Sequence, residues 1–185
     1  MELYKGRPEV TEGRLEKEIK VYDLLDSIGV PYYRVDHEAV WTIEACQEID
    51  RTLDIEICKN LFLCNRQKTA FYLLLIPGGK ALQAKELSKQ IPTSRLSFVS
   101  GEHMEQYLNV IPGSATVMGL LFDPENKVQL LVDEEIFDQE EFGCHPCVNT
   151  SSIKMKTSDL FEKVIPALHH DYITVKLTDG NVKEE

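Results

Sequence analysis

The sequence predicts one α+β domain, and three observations carry that reading. Apolar residues recur at helical spacing in some stretches, while others are short apolar runs split by polar turns, as in strands paired into hairpins. These runs do not alternate strictly with helices, which argues against a purely parallel sheet. The 185 residues are enough for one real core, and no repeat or low-complexity linker divides them.

The elements follow in order. Residues 1–12 read as a flexible N-terminal arm. Leu15, Ile19, Tyr22, Leu25 and Ile28 form a helical stripe that Gly29 stops. After Pro31, Tyr32 to Val35 reads as a short strand. Thr42 can cap a second helix running through Glu44, Ala45 and Ile49. The runs 60–64 and 70–76, split by the polar turn 65–69, predict a buried hairpin. Pro77-Gly78-Gly79 ends it, and helices are expected over 83–90 and 102–108. Pro112-Gly113-Ser114 is a turn. The apolar stretches 118–122 and 128–132 flank Asp123-Pro124-Glu125-Asn126 and predict a second hairpin. A last helix opens at Thr157 and ends near Leu168, with His169-His170 expected as a surface pair at its end. Tyr172 to Leu177 reads as a final strand, and 178–185 as a polar tail.

Composition narrows the function. Thirty-one acidic against 20 basic residues give a net charge of -11, which argues against sequence-blind coating of DNA or RNA, where Lys and Arg must neutralise phosphates. No run approaches the roughly 18 apolar residues of a membrane span. Residues 1–10 carry charges and a proline where a signal peptide would be apolar, so the expectation is a cytoplasmic protein. Cys46, Cys58, Cys64, Cys144 and Cys147 form no regular disulfide framework and read as free thiols.

Three segments hold residue types suited to chemistry. Lys59 and Asn60 stand at the mouth of a strand that then turns apolar, where a lysine can reach a phosphate or simply be a surface charge. Pro112-Gly113-Ser114-Ala115-Thr116 is a turn of small residues whose backbone N–H groups can approach a carbonyl oxygen, or a plain connection. Gly143 to Thr150 is the densest cluster, with Cys144, His145, Pro146, Cys147 and Asn149. It reads as a redox pair, a metal site or a pocket wall, although no helix follows the C-x-x-C spacing and no second ligand pair accompanies it. No P-loop, nucleophile elbow or dinucleotide fingerprint is present.

Taken in order, Val40-Trp41-Thr42, Lys59-Asn60-Leu61-Phe62-Leu63, Arg95-Leu96-Ser97-Phe98, Pro112-Gly113-Ser114-Ala115-Thr116 and His145-Pro146 with Asn149 resemble the YbaK/ProX-type prolyl-tRNA editing family. The likeness spans about residues 15 to 177, and within the family it is to free-standing members of the ProXp-ala or PrdX type. The resemblance implies an editing domain over 13–177, a mixed, mainly antiparallel sheet with flanking helices, and a small pocket. It implies ester hydrolysis of alanyl-tRNA for proline, assisted by the ribose 2′-hydroxyl, with no metal, cofactor or protein nucleophile. Prolyl-tRNA synthetase is the protein partner it suggests.

Carried over by position, Lys59 would hold the phosphate of the terminal adenosine and Asn60 would set that strand end. Gly113, with Ser114 and Ala115, would offer backbone N–H groups to the carbonyl. His145 would orient substrate, Asn149 would support its loop, and Thr42 and Cys144 would shape the amino-acid end. The chain departs from the family pattern at Val117, usually proline, at Cys58, often threonine, and at Cys144, often Phe or Met. Alternatives are cysteinyl-tRNA for proline as substrate, a non-catalytic aminoacyl-tRNA or amino-acid sensor, and thiol redox through Cys144 and Cys147. Several of Arg66, Lys68, Lys80, Lys85, Lys89 and Arg95 are expected to share one face that holds the acceptor end.

Overall fold

A computed structural model describes residues 1–40 and 42–180. Trp41 of the Val40-Trp41-Thr42 motif and residues 181–185 of the expected tail lie outside the described residues. The domain is α+β, as the periodicity predicts, with its mainly antiparallel strands divided between two sheets.

Strands β1 (Leu3–Lys5), β2 (Tyr33–Asp36), β7 (Glu141–Cys144) and β8 (Ser151–Lys156) form a four-stranded antiparallel sheet in the order β1-β2-β8-β7. Strands β3 (Lys59–Cys64), β4 (Phe71–Ile76), β5 (Ser97–Phe98), β6 (Val128–Asp133) and β9 (Tyr172–Val175) form a five-stranded mixed sheet in the order β5-β3-β4-β6-β9. The expected β3–β4 hairpin is present, with Lys59 opposite Ile76 and Cys64 opposite Phe71. The strands β4, β6 and β9 run parallel to one another.

The main core lies between the sheets and takes Tyr22 and Leu25 from helix α1 (Glu16–Ser27), Leu73 and Leu75 from β4, and Phe142 and Ile153 from the other sheet. Leu74 and Ile76 point to the opposite face, where they meet Leu87 of α3 (Ala84–Gln90) and Val175. Both faces of β4 are therefore covered, which explains its unbroken apolar run in place of an alternating one. A smaller cluster sets Ile49 and Leu53 of α2 (Ile43–Leu53) against Val35, with Val40, Ile55 and Ile57 at its edge. Thr42 caps α2 as expected, its Oγ1 accepting the Ala45 amide at 3.3 Å.

Several expectations change. The run Val117–Phe122 is a 3-10 helix, so there is no hairpin with β6, which pairs with β4 instead. Thr116 accepts the Met118 amide at its start, and a run of consecutive apolar residues fits a buried helical turn as well as a strand. Within the N-terminal arm, Leu3–Lys5 form an edge strand, and the arm is held further by Arg34 donating to the Gly6 carbonyl and by Arg7 pairing with Asp23 and Asp26. His170 is no surface residue. It is buried with Nε2 3.0 Å from Asp123 Oδ2, while the Asp123 carboxylate also accepts the Lys127 and Val128 amides. Of the tail, Thr178 bonds Glu86, and Asp179 accepts the Ala81 amide.

Asp123 thus ties the turn before β6 to the end of the last helix (157–167). Replacing Asp123 by alanine is expected to cost about 3 kcal/mol or more, because it strips partners from a buried imidazole and two backbone amides at once. Urea unfolding of the purified variant checks this.

Candidate active site

The sheets approach each other where β3 begins, with the Cys58 thiol 3.7 Å from the Gly143 carbonyl. Beside this contact opens a cavity of two lobes. The larger, about 680 Å³, is lined by Val40, Thr42, Cys46, Ile49, Asp50 and Ile57 among others. The smaller, about 260 Å³, is lined by Cys58, Asn60, Leu61, Ala115 and Cys144. Lys59, Gly113 and His145, expected from three distant segments, line both lobes and stand at their junction.

Each of these residues is positioned for a local reason. Lys59 starts a strand whose following residues become buried, so its backbone is fixed while the side chain stays exposed. Its Nζ donates to the Lys80 carbonyl at 2.9 Å, leaving two further N–H donors. Gly113 adopts φ +88°, a left-handed conformation that favours glycine. Asn60 Oδ1 accepts the buried Val117 amide at 2.8 Å. A proline at 117, as the resemblance implies, would have no N–H to give; the valine supplies a bond between β3 and the glycine loop. Thr116 donates to the His145 carbonyl at 2.6 Å and joins that loop to the β7–β8 connection.

His145 is half-buried. Its Nδ1–H donates to the Ser151 carbonyl at 2.9 Å, which fixes the tautomer and leaves Nε2 as an acceptor. Ser152 Oγ lies 3.3 Å from the same Nδ1 and 2.9 Å from His37 Nε2, and His37 Nδ1 donates to the Glu38 carbonyl. Burial lowers the pKa of both rings below the ordinary 6.5, and for His145 the neighbouring His37 adds to the effect while the Ser151 bond opposes it. Neither His37 nor Ser152 carries a signal in the sequence. His37 is a lone histidine just after β2 with no partner at a recognisable spacing, and the serines of β8 look like solvent-facing residues.

The other expected residues divide. Thr42, Ala115, Cys144 and Asn149 line the cavity, though the Thr42 hydroxyl also caps α2. Asn149 Nδ2 is buried without a hydrogen-bond partner among the described residues. Ser114 is a correction: it is fully buried, its amide and hydroxyl both bond the Ile111 carbonyl, and its Oγ accepts the Ile111 amide. It builds the turn and does not line the cavity. Burial pushes the Cys144 thiol up to about 12 and raises Cys58 and Cys147 as well, opposite to what a redox pair needs. Among the described residues, no three His, Cys, Asp or Glu side chains are grouped as metal ligands would be. No described helix is long and apolar enough to cross a membrane.

Of the basic residues expected to share a face, Lys80 is the exception. Lys80 is buried, with Nζ 3.0 Å from Asp133 and 2.9 Å from Glu135. Arg66 and Lys68 sit in the β3–β4 turn, and Ser94, next to Arg95, accepts the Arg66 amide. That group lies at the far end of β3 from Lys59, about 17 Å away at the usual rise per residue.

Two outcomes are expected. Asn60→Ala orphans the buried Val117 amide and should cost about 1–3 kcal/mol in urea unfolding, whereas Asn60→Asp, which keeps an acceptor, should cost less. His37 and His145 have lowered pKa values in the fold, so the unfolded chain takes up protons first. The stability they contribute is present above about pH 6.5 and is lost as pH falls from there through the lower folded values. Unfolding midpoints measured from pH 7.5 to 5 should drop less in a His37→Asn, His145→Asn double variant.

The chain is similar to several known proteins. Over 153 residues the chain is 28% identical to the prolyl-tRNA editing protein ProX of Acetoanaerobium sticklandii, covering 83% of this chain and 93% of that protein. It is 25% identical over 148 residues to prolyl-tRNA synthetase associated domain-containing protein 1 of Danio rerio, covering 79% of each. A solved structure of a proposed trans-editing enzyme for prolyl tRNA synthetase shares the fold, with a TM-score of 0.63 at 12% identity over 90% of this chain and 99% of that one. The family model for the aminoacyl-tRNA editing domain matches residues 37–163, more than half of the sequence, and the chain belongs to that family.

Proposed function

We propose that this chain is an aminoacyl-tRNA deacylase that acts in trans on mischarged tRNA for proline and removes alanine. The observation that carries the reading is the position of Lys59, Gly113 and His145 at the junction of the two lobes. A charged tRNA end is itself two bodies, an acyl group and a terminal adenosine, joined through one ester. A cavity with a cation, a glycine turn and a neutral imidazole at its waist suits such a ligand. The likeness to ProX supports tRNA for proline as its source.

In this reading Lys59 holds the phosphate of the terminal adenosine with the donors that Lys80 leaves over. The Ser114 amide is engaged by Ile111, so contact with the ester carbonyl falls to the amides of Gly113 and Ala115. His145 Nε2 accepts a hydrogen bond from the ribose 2′-hydroxyl or from the attacking water. Water adds to the carbonyl carbon, the bond to the ribose oxygen breaks, that oxygen takes a proton, and the amino acid leaves as its carboxylate. An aminoacyl ester is already activated, so positioning supplies much of the acceleration. Alanine is the expected substrate because a synthetase pocket sized for proline cannot strongly reject a smaller side chain.

The test is deacylation of alanyl-, cysteinyl- and prolyl-tRNA for proline by the purified protein and its Lys59→Ala variant. Loss of alanine with prolyl-tRNA spared, slowed at least about tenfold in the variant, is expected from removing a charge-assisted phosphate contact. Preferential loss of cysteine would reassign the substrate. Binding of all three without cleavage would replace the enzyme with a sensor.

A further inference from the structure

The larger lobe is apolar along Val40, Ile49 and Ile57, yet it holds a carboxylate, Asp50, on the inner part of α2. Asp50 is half-buried, and its Oδ1 accepts the Ile57 amide at 3.3 Å. Among the described residues Oδ2 has no hydrogen bond and the carboxylate no ion pair. Burial raises its pKa, with Glu56 adding to the effect and the Ile57 bond opposing it, and no cation offsets the two. Glu56 is the other acid of this lobe, but it is exposed and lies over Gly78, where an added Cβ would stand 3.0 Å from its Oε1. The same lobe is bounded by Asn149, whose Nδ2 is a buried donor without an acceptor.

A ligand that satisfies Asp50 presents a cation on a small apolar body. An α-aminoacyl group has that pattern, with its ammonium beside a short side chain. We propose that Asp50 is the residue that binds the α-ammonium of the aminoacyl ester, and that the larger lobe is the amino-acid end of the site. This rests on the deacylase reading above. It makes the protein a reader of free α-amino groups: an ester whose nitrogen is acylated would lose the ion pair and leave Asp50 without a partner in a partly buried place.

The experiment measures calorimetric binding of two stable mimics of the tRNA end, adenosine carrying alanine through a 3′-amide and the same compound carrying a propionyl group. They differ only in the α-amino group. Wild-type protein is expected to prefer the alanyl compound by about 10- to 100-fold, the usual scale for a hydrogen bond to a charged group. Asp50→Asn keeps an oxygen for the Ile57 amide, so it should fold, bind the propionyl compound as wild type does, and lose the preference. Glu56→Gln should retain it. Equal binding of the two compounds by wild type, or an unchanged preference in Asp50→Asn, overturns the assignment. Binding of neither compound, with no deacylation of charged tRNA, overturns the deacylase reading itself.

Discussion

Asn60 receives the amide of Val117, and Thr116 donates to the carbonyl of His145, so β3, the glycine loop and the β7–β8 connection are fastened through two short hydrogen bonds. Both bonds lie within the protein, yet each fixes a backbone that carries a group at the cavity waist. Loops alone would leave Lys59, Gly113 and His145 free to drift apart. Here the loops borrow the rigidity of β3, which sits between β4 and β5 and is buried over its second half.

Electrostatics divides the molecule in a similar way. The chain is strongly acidic overall, and the buried Lys80 is neutralised by Asp133 and Glu135. Lys59 therefore stands as a local positive charge against a negative background, and its pull on an anion is short-ranged once salt screens the rest. The imidazole beside it is kept neutral by burial, which preserves an acceptor nitrogen where a charged ring would offer only donors.

Much of the fold is legible in the sequence because its signals are local. The α1 stripe, the Thr42 cap and the 60–76 hairpin follow from spacing and turn chemistry, and all are found. The run 118–122 reads as a strand because unbroken apolar residues fit either a strand or a buried helical turn, and tertiary packing decides for the 3-10 helix Val117–Phe122. Strands β7 and β8 give little signal, since Ser151, Ser152 and Lys154 are polar residues that the sheet buries. At the site, Lys59, Gly113 and His145 stand out by residue type and resemblance. Asp50 and Ser152 do not, because each looks ordinary in its own segment; Ser152 gains meaning from His37, and Asp50 from the cavity it lines with Lys59 and His145.

The parallel pairing of β4 with β6 and of β6 with β9 has a kinetic consequence. Such pairings join segments distant in sequence, Phe71 with Val128 and Leu130 with Tyr172, so long stretches of chain must be closed before they form. The cavity draws on segments spread from Val40 to Ser152 and cannot exist in a chain that has made only its local hairpin and helices. Competence thus arrives late on the folding path, and a nascent or partly unfolded molecule is silent toward its ligand until the topology is complete.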